Sequence, residues 1–156
     1  MSIIYKIFDI ANWFLKKESM NHKKIQKLCY YAQAWYLALY NKPLIDCKFE
    51  AWAHGPICRK LWIELHEHTY FDIPQDALKS KSKNITKTDD VEFMERVWET
   101  YKDFNGYQLE VLTHKERPWI VARGETPEFE TCTAKISEEE MSSYYQTLYT
   151  KDKISK

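Results

Sequence analysis

Glycine and proline are scarce in this chain, with 3 Gly and 5 Pro among 156 residues. So few turn formers exclude a β-rich sandwich or barrel and favour long helices. There is no glycine-rich loop to cradle a phosphate. No apolar run approaches the ~18 residues of a membrane span, and the N-terminus lacks the pattern of a signal peptide. A cytoplasmic protein is the expectation, with no membrane partner. Net charge is missing too, since 23 Lys/Arg balance 23 Asp/Glu, which argues against a dedicated nucleic-acid binder. Cys29, Cys47, Cys58 and Cys132 form no CxxC and no regular spacing, so reduced thiols are expected rather than disulfides or a metal site.

Aromatic residues are plentiful, with 6 Trp, 11 Tyr and 7 Phe. Most of the tryptophans must supply a core. A chain of this length should bury about 70% of the surface its unfolded form exposes, as one domain. The charges are unevenly spread: residues 1–60 hold ten Lys/Arg against four Asp/Glu, and residues 89–156 nine against fifteen. A basic N-terminal half could steer an acidic partner.

The longest helical pattern runs from Asn21 to Tyr40. Ile25, Leu28, Cys29, Ala32, Trp35, Tyr36 and Leu39 recur at three- and four-residue intervals, and Asn21 is placed to cap the first turn. A mainly α fold follows, a single-domain bundle around this central helix. Lys23, Lys27, Tyr30 and Tyr31 fall on its less apolar side and are the candidates for partner contact. An amphipathic helix over Ile3–Lys17 precedes it. Alternation at Cys47, Phe49, Ala51 and Ala53 predicts a short extended segment within residues 47–53, and Pro56 is placed to start the next helix, which runs to about Tyr70. Residues 72–88 read as a long surface loop and a second candidate contact. Helices are then expected from Thr88 as cap to a Gly106 C-cap, through Tyr107–Leu112, from Pro118 to Arg123, and from a Ser137-x-x-Glu140 capping box. The domain is expected to span residues 1–150, with a flexible tail over 151–156.

Chemistry is thinly signalled. His54 and His114 each precede a turn, where an imidazole commonly bonds backbone, and Cys58 four residues after His54 only sketches a nucleophile and base. A hydrolase built on His54, Cys58 and His114 is therefore an alternative reading, as is a nucleic-acid-binding regulator using Lys23, Lys24 and Lys27. His66 and His68 lack the i, i+4 spacing of a helical metal pair. No cofactor and no metal is expected, and no enzymatic activity.

Three stretches together carry a resemblance. They are Lys24-Ile25-Gln26-Lys27-Leu28-Cys29-Tyr30-Tyr31-Ala32-Gln33-Ala34-Trp35-Tyr36-Leu37-Ala38 with Lys42-Pro43-Leu44; Glu50-Ala51-Trp52-Ala53-His54-Gly55-Pro56-Ile57; and Leu112-Thr113-His114-Lys115-Glu116-Arg117-Pro118-Trp119 with Ala122-Arg123. In order and spacing they resemble the Panacea antitoxin domain family, which includes SocA-like and phage-associated GepA-like proteins. The resemblance implies a mainly helical antitoxin that neutralises a cognate toxin by direct protein binding. It also implies that delivery of the toxin to an ATP-dependent protease, as a proteolytic adaptor, is within the family's range. It brings no catalytic residues. Gln26, Leu28, Trp52, His54, Gly55, Pro56, Thr113, His114, Pro118 and Trp119 are the motif positions, expected to hold the fold.

Overall fold

The computed structural model describes residues 4–68 and 70–155, with side chains to Thr150. It is mainly helical, with seven α-helices among the described residues: α1 (Ile7–Lys17), α2 (His22–Tyr40), α3 (Arg59–Leu65), α4 (Thr88–Tyr101), α5 (Gly106–His114), α6 (Arg117–Arg123) and α7 (Glu138–Ser155). Strands β1 (Glu50–Trp52) and β2 (Gly55–Ile57) form an antiparallel hairpin between α2 and α3. The extended segment expected within residues 47–53 is thus β1.

Helix α2 lies at the centre and touches α1, α3, α4, α5, α7 and β2. Asn21 caps it as the sequence predicts, its side chain accepting from Lys24 N at 2.8 Å. Asn41 ends it in the left-handed region, at φ 55°, where Asn is better tolerated than most residues. Ile25, Leu28, Cys29 and Ala32 are fully buried among residues such as Phe14, Phe49 and Tyr145. Replacing Leu28 by Ala should therefore lower stability by about 3 kcal/mol. Urea unfolding checks this as a lowered midpoint with an unchanged slope.

Several expected boundaries move. The first helix starts at Ile7 because Tyr5 pairs with the chain after α2, donating to Leu44 O at 2.8 Å and accepting from Asp46 N at 3.0 Å. Ile3 lies outside the described residues. Pro56 does not begin a helix: it sits in β2 opposite Ala51, and α3 starts at Arg59. Gly106 is not a C-cap but the first residue of α5. Asn105 caps that helix reciprocally with Gln108, and a Cβ at Gly106 would lie 2.8 Å from Asn21 Oδ1 and 3.1 Å from Lys24 N. The glycine is there so that α5 can meet the head of α2. Thr88 is the first residue of α4, with Lys87 at its cap. Ser137 Oγ accepts from Glu140 N at 3.2 Å at the head of α7. That helix continues through Ser155; Lys156 lies outside the described residues.

The loop over residues 72–88 is pinned rather than free. Ile73 and Leu78 are fully buried, and Ile73 N donates to Met20 O at 2.8 Å. The expectation of four separate thiols is also corrected. Cys47 and Cys58 are paired as a disulfide, their Cα atoms 6.6 Å apart, while Cys29 and Cys132 are free. The hairpin folds the chain back on itself and brings the two together. Among the described residues, no helix is long and apolar enough to cross a membrane.

Candidate functional site

Most polar residues of α2 face inward. A helix surrounded by neighbours has no solvated side, so each polar group on it needs an internal partner. Gln26 accepts from Cys58 N at 2.8 Å and donates to Cys58 O at 3.1 Å, fastening the end of the hairpin. Gln33, seven residues on and so on the same face, accepts from Leu44 N and Ile45 N, each at 2.9 Å, and donates to Ile45 O at 3.1 Å. Lys24 Nζ donates to Lys102 O at 2.7 Å, and Trp35 Nε1 to the Tyr101 hydroxyl at 2.7 Å.

Lys27 is an exception, as is His22 at Nε2. The Lys27 side chain is fully buried, and Nζ has no hydrogen-bond partner. Burial pushes the amine down to about 7, against a small opposing pull from Glu110. It lies against the hairpin turn, where Gly55 has φ 99°. A Cβ there would overlap Lys27 Cε and stand 3.0 Å from Thr113 Oγ1. Gly55 therefore meets two demands, positive φ and close approach. Thr113 is itself fully buried and donates to Glu110 O at 2.8 Å. Glu110 Oε1 is itself buried and lies 2.9 Å from Lys23 Nζ and 3.3 Å from His54 Nδ1. Its contact is ionic rather than an aligned hydrogen bond.

A second buried cluster joins α2, α6 and α7. Glu116, the N-cap of α6, accepts from the Tyr31 hydroxyl at 2.6 Å and the Tyr145 hydroxyl at 2.8 Å. The Tyr30 hydroxyl lies 3.2 Å from that of Tyr145, and Tyr101 stacks on Tyr31 at 4.2 Å. Burial pushes the Glu116 carboxyl up to about 7, while the two tyrosine donors pull it down.

The third cluster joins the hairpin to α6. Pro118 lies in the first turn of α6, as the sequence predicts, and Trp119 Nε1 donates to Trp52 O at 2.9 Å. Buried Arg123 donates to Ala51 O at 2.8 Å and to three carbonyls of the turn that follows α6. The His114 ring stacks on Trp119 at 4.0 Å, with Nδ1 3.3 Å from Glu128 Oε1; burial pushes its pKa down. A surface depression of about 200 Å³ opens here, lined by His114, Trp119, Ile120, Arg123, Thr126 and Glu128, with Gly124 at its edge.

The proposed catalytic trio is thus engaged with three different groups. Cys58 is paired with Cys47, His54 faces Glu110, and His114 lies on Trp119. The four residues read as a contact face also divide. Lys23 is partly exposed, whereas Lys27, Tyr30 and Tyr31 are at most 1% exposed. Their placement on an open side of α2 is corrected, because α5, α7 and β2 cover that side. Glu110, Glu116, Gln33 and Arg123 are central to these clusters, yet composition and periodicity did not single them out. For Gln33 a signal existed: an amide on a helix face otherwise apolar, seven residues from Gln26.

What these clusters define is a helical domain whose signature residues bind its own elements together. The family model for the antitoxin SocA-like, Panacea domain matches residues 25–120, more than half of the chain, and the chain belongs to this family. The matched region holds almost all of α2, the hairpin, α3 to α5 and the first residues of α6; Arg123 and α7 lie beyond it. No curated protein matches the chain, and no solved structure does.

Proposed function

We propose that this chain is the antitoxin of a toxin–antitoxin pair, neutralising a cognate toxin in the cytoplasm by direct contact and without catalysis of its own. The observation that carries the reading is the family match over residues 25–120. The chemistry of the motif supports it, since Gln26, Gly55, Thr113 and Trp119 serve internal bonds or close packing, which leaves recognition to the outer surface. Lys23, the exposed member of the original four, remains a contact candidate through the ion pair it shares with Glu110. Delivery of the bound toxin to an ATP-dependent protease is a second role compatible with a binding module. A reducing compartment would hold Cys47 and Cys58 as adjacent thiols.

The test is co-expression with the product of the adjacent gene. Growth arrest by that product alone, relieved when this chain is present, is the expected result. Rescue that persists in a host lacking its ATP-dependent proteases separates masking from delivery. A neighbour that is toxic but neither rescued nor bound contradicts the proposal.

A further inference from the structure

The turn after α6 presents an aromatic side chain to water on a backbone held from beneath. Arg123 is 4% exposed. Its Nη2 donates to Pro127 O at 2.6 Å, Glu128 O at 3.2 Å and Glu130 O at 2.6 Å, while Nη1 reaches Ala51 O in the hairpin. Glu130 N closes the turn on Pro127 O at 3.0 Å. The carbonyls point inward, and Phe129 at the tip is 90% exposed. A large apolar side chain so exposed adds nothing to the core of this chain. With its backbone already held, it can serve as an anchor for which only the side chain needs ordering when a partner buries it.

The surroundings state the partner's chemistry. From Gly124 to Ala134 the chain carries Glu125, Glu128 and Glu130 and neither Lys nor Arg. The Arg123 charge is buried under the turn and spent on carbonyls. His114 Nδ1 lies 3.3 Å from Glu128 Oε1, and burial pushes that ring towards its neutral form. Three exposed carboxylates thus share this short turn with the aromatic tip and outnumber the one buried guanidinium beneath it. On the adjoining face of α6, Ile120 and Val121 are 47% and 46% exposed, and Ile120 shares its depression with Glu128 and Thr126.

We infer that this α6–turn face, with Phe129 as its anchor, is where the chain contacts its toxin, and that the complementary site is an apolar socket rimmed by Lys and Arg. Opposite charge around an apolar centre steers encounter and fixes orientation. The inference rests on the antitoxin reading and centres the contact on α6 and its turn rather than on α2.

The experiment uses the full chain and the purified product of the adjacent gene, with affinity measured at several salt concentrations. Phe129→Ala should weaken binding about tenfold or more while leaving the melting temperature where it was, since the ring touches solvent. Phe71→Ala, at another exposed aromatic, should change affinity by less than about twofold. The triple change Glu125→Gln, Glu128→Gln, Glu130→Gln should slow association and flatten its salt dependence. Phe129→Ala binding like the wild type overturns the inference while the antitoxin reading stands. Sedimentation showing a dimer that Phe129→Ala dissociates also overturns it, because the occupant is then a second copy. A wild-type chain that neither binds nor neutralises the neighbour overturns the antitoxin reading instead.

Discussion

Replacing Lys27 by methionine is expected to stabilise this protein at neutral pH. The amine is fully buried, has no hydrogen-bond partner, and titrates near 7 rather than at its ordinary 10.5. The unfolded chain keeps its proton up to the ordinary value, so between pH 7 and 10.5 the unfolded state binds more protons than the folded one. This contribution to stability is present in full above 10.5 and is lost as pH falls through about 7. Each pH unit in that window corresponds to ~1.4 kcal/mol. Methionine fills a similar volume without a charge to desolvate, so a gain of ~2 to 5 kcal/mol is expected at pH 7. The gain should shrink towards zero near pH 10. Lys27→Glu should prevent folding, since it sets a carboxylate in the same dry site beside Glu110. Urea midpoints of wild type and Lys27→Met between pH 6 and 10 check the sign and the trend. A methionine variant less stable than wild type at pH 7 would contradict the reading of Lys27 as an unpaired buried amine.

Arg123→Ala should lower stability by ~3 to 5 kcal/mol, a large loss for a side chain outside the apolar core. The guanidinium joins Ala51 in the hairpin to Pro127, Glu128 and Glu130 in the turn, and it lies 4.9 Å from the Trp119 ring centroid. Truncation leaves those carbonyls under-satisfied and opens a cavity beneath the turn. Arg123→Lys should recover little, because one ammonium cannot span carbonyls that a planar fork reaches together. Calorimetry should show a melting temperature lower by about 10 °C. Limited proteolysis should show cleavage within residues 124–134 before the rest of the chain is cut. Equal stability of Arg123→Lys and wild type would contradict this account of the turn.

Glu116 gives stability a second, opposite slope. Its folded pKa, about 7, is raised above the ordinary 4.5. Its contribution is therefore complete below 4.5 and is lost as pH rises through about 7, amounting to about 3 kcal/mol across that window. Lys27 and Glu116 together predict a trough in stability near neutral pH, with rises on both sides. Glu116→Gln should flatten the acid side, and Lys27→Met the alkaline side, each leaving the other slope in place.

Much of the backbone plan was legible in the sequence. The apolar repeat of residues 21–40, the Asn21 cap and Pro118 in the first turn of α6 are local signals, and each was met. The misread elements depend on neighbours far along the chain. Pro56 lies in a strand because β1 is there to pair with it. Gly106 is a glycine because α2 passes within contact of its missing Cβ. Lys27, Tyr30 and Tyr31 looked solvated because polarity in a helix ordinarily marks its outer face. Here α5 and α7 close over that face; the Tyr31 hydroxyl finds Glu116, 85 residues along the chain, and the Tyr30 hydroxyl finds that of Tyr145. Family resemblance supplied which residues matter, and tertiary packing supplied what they do. Arg123 stood in the resembling motif, yet its role needed the turn it holds.

The direct test of neutralisation by contact is a titration of purified toxin activity with the purified full chain, with no protease and no ATP present. The account predicts that inhibition is complete at a fixed stoichiometry with the wild type, and that at concentrations near Kd Phe129→Ala needs about tenfold more protein for the same inhibition. Toxin activity unchanged by excess wild-type chain would contradict it, and would leave any protection of growth to another route.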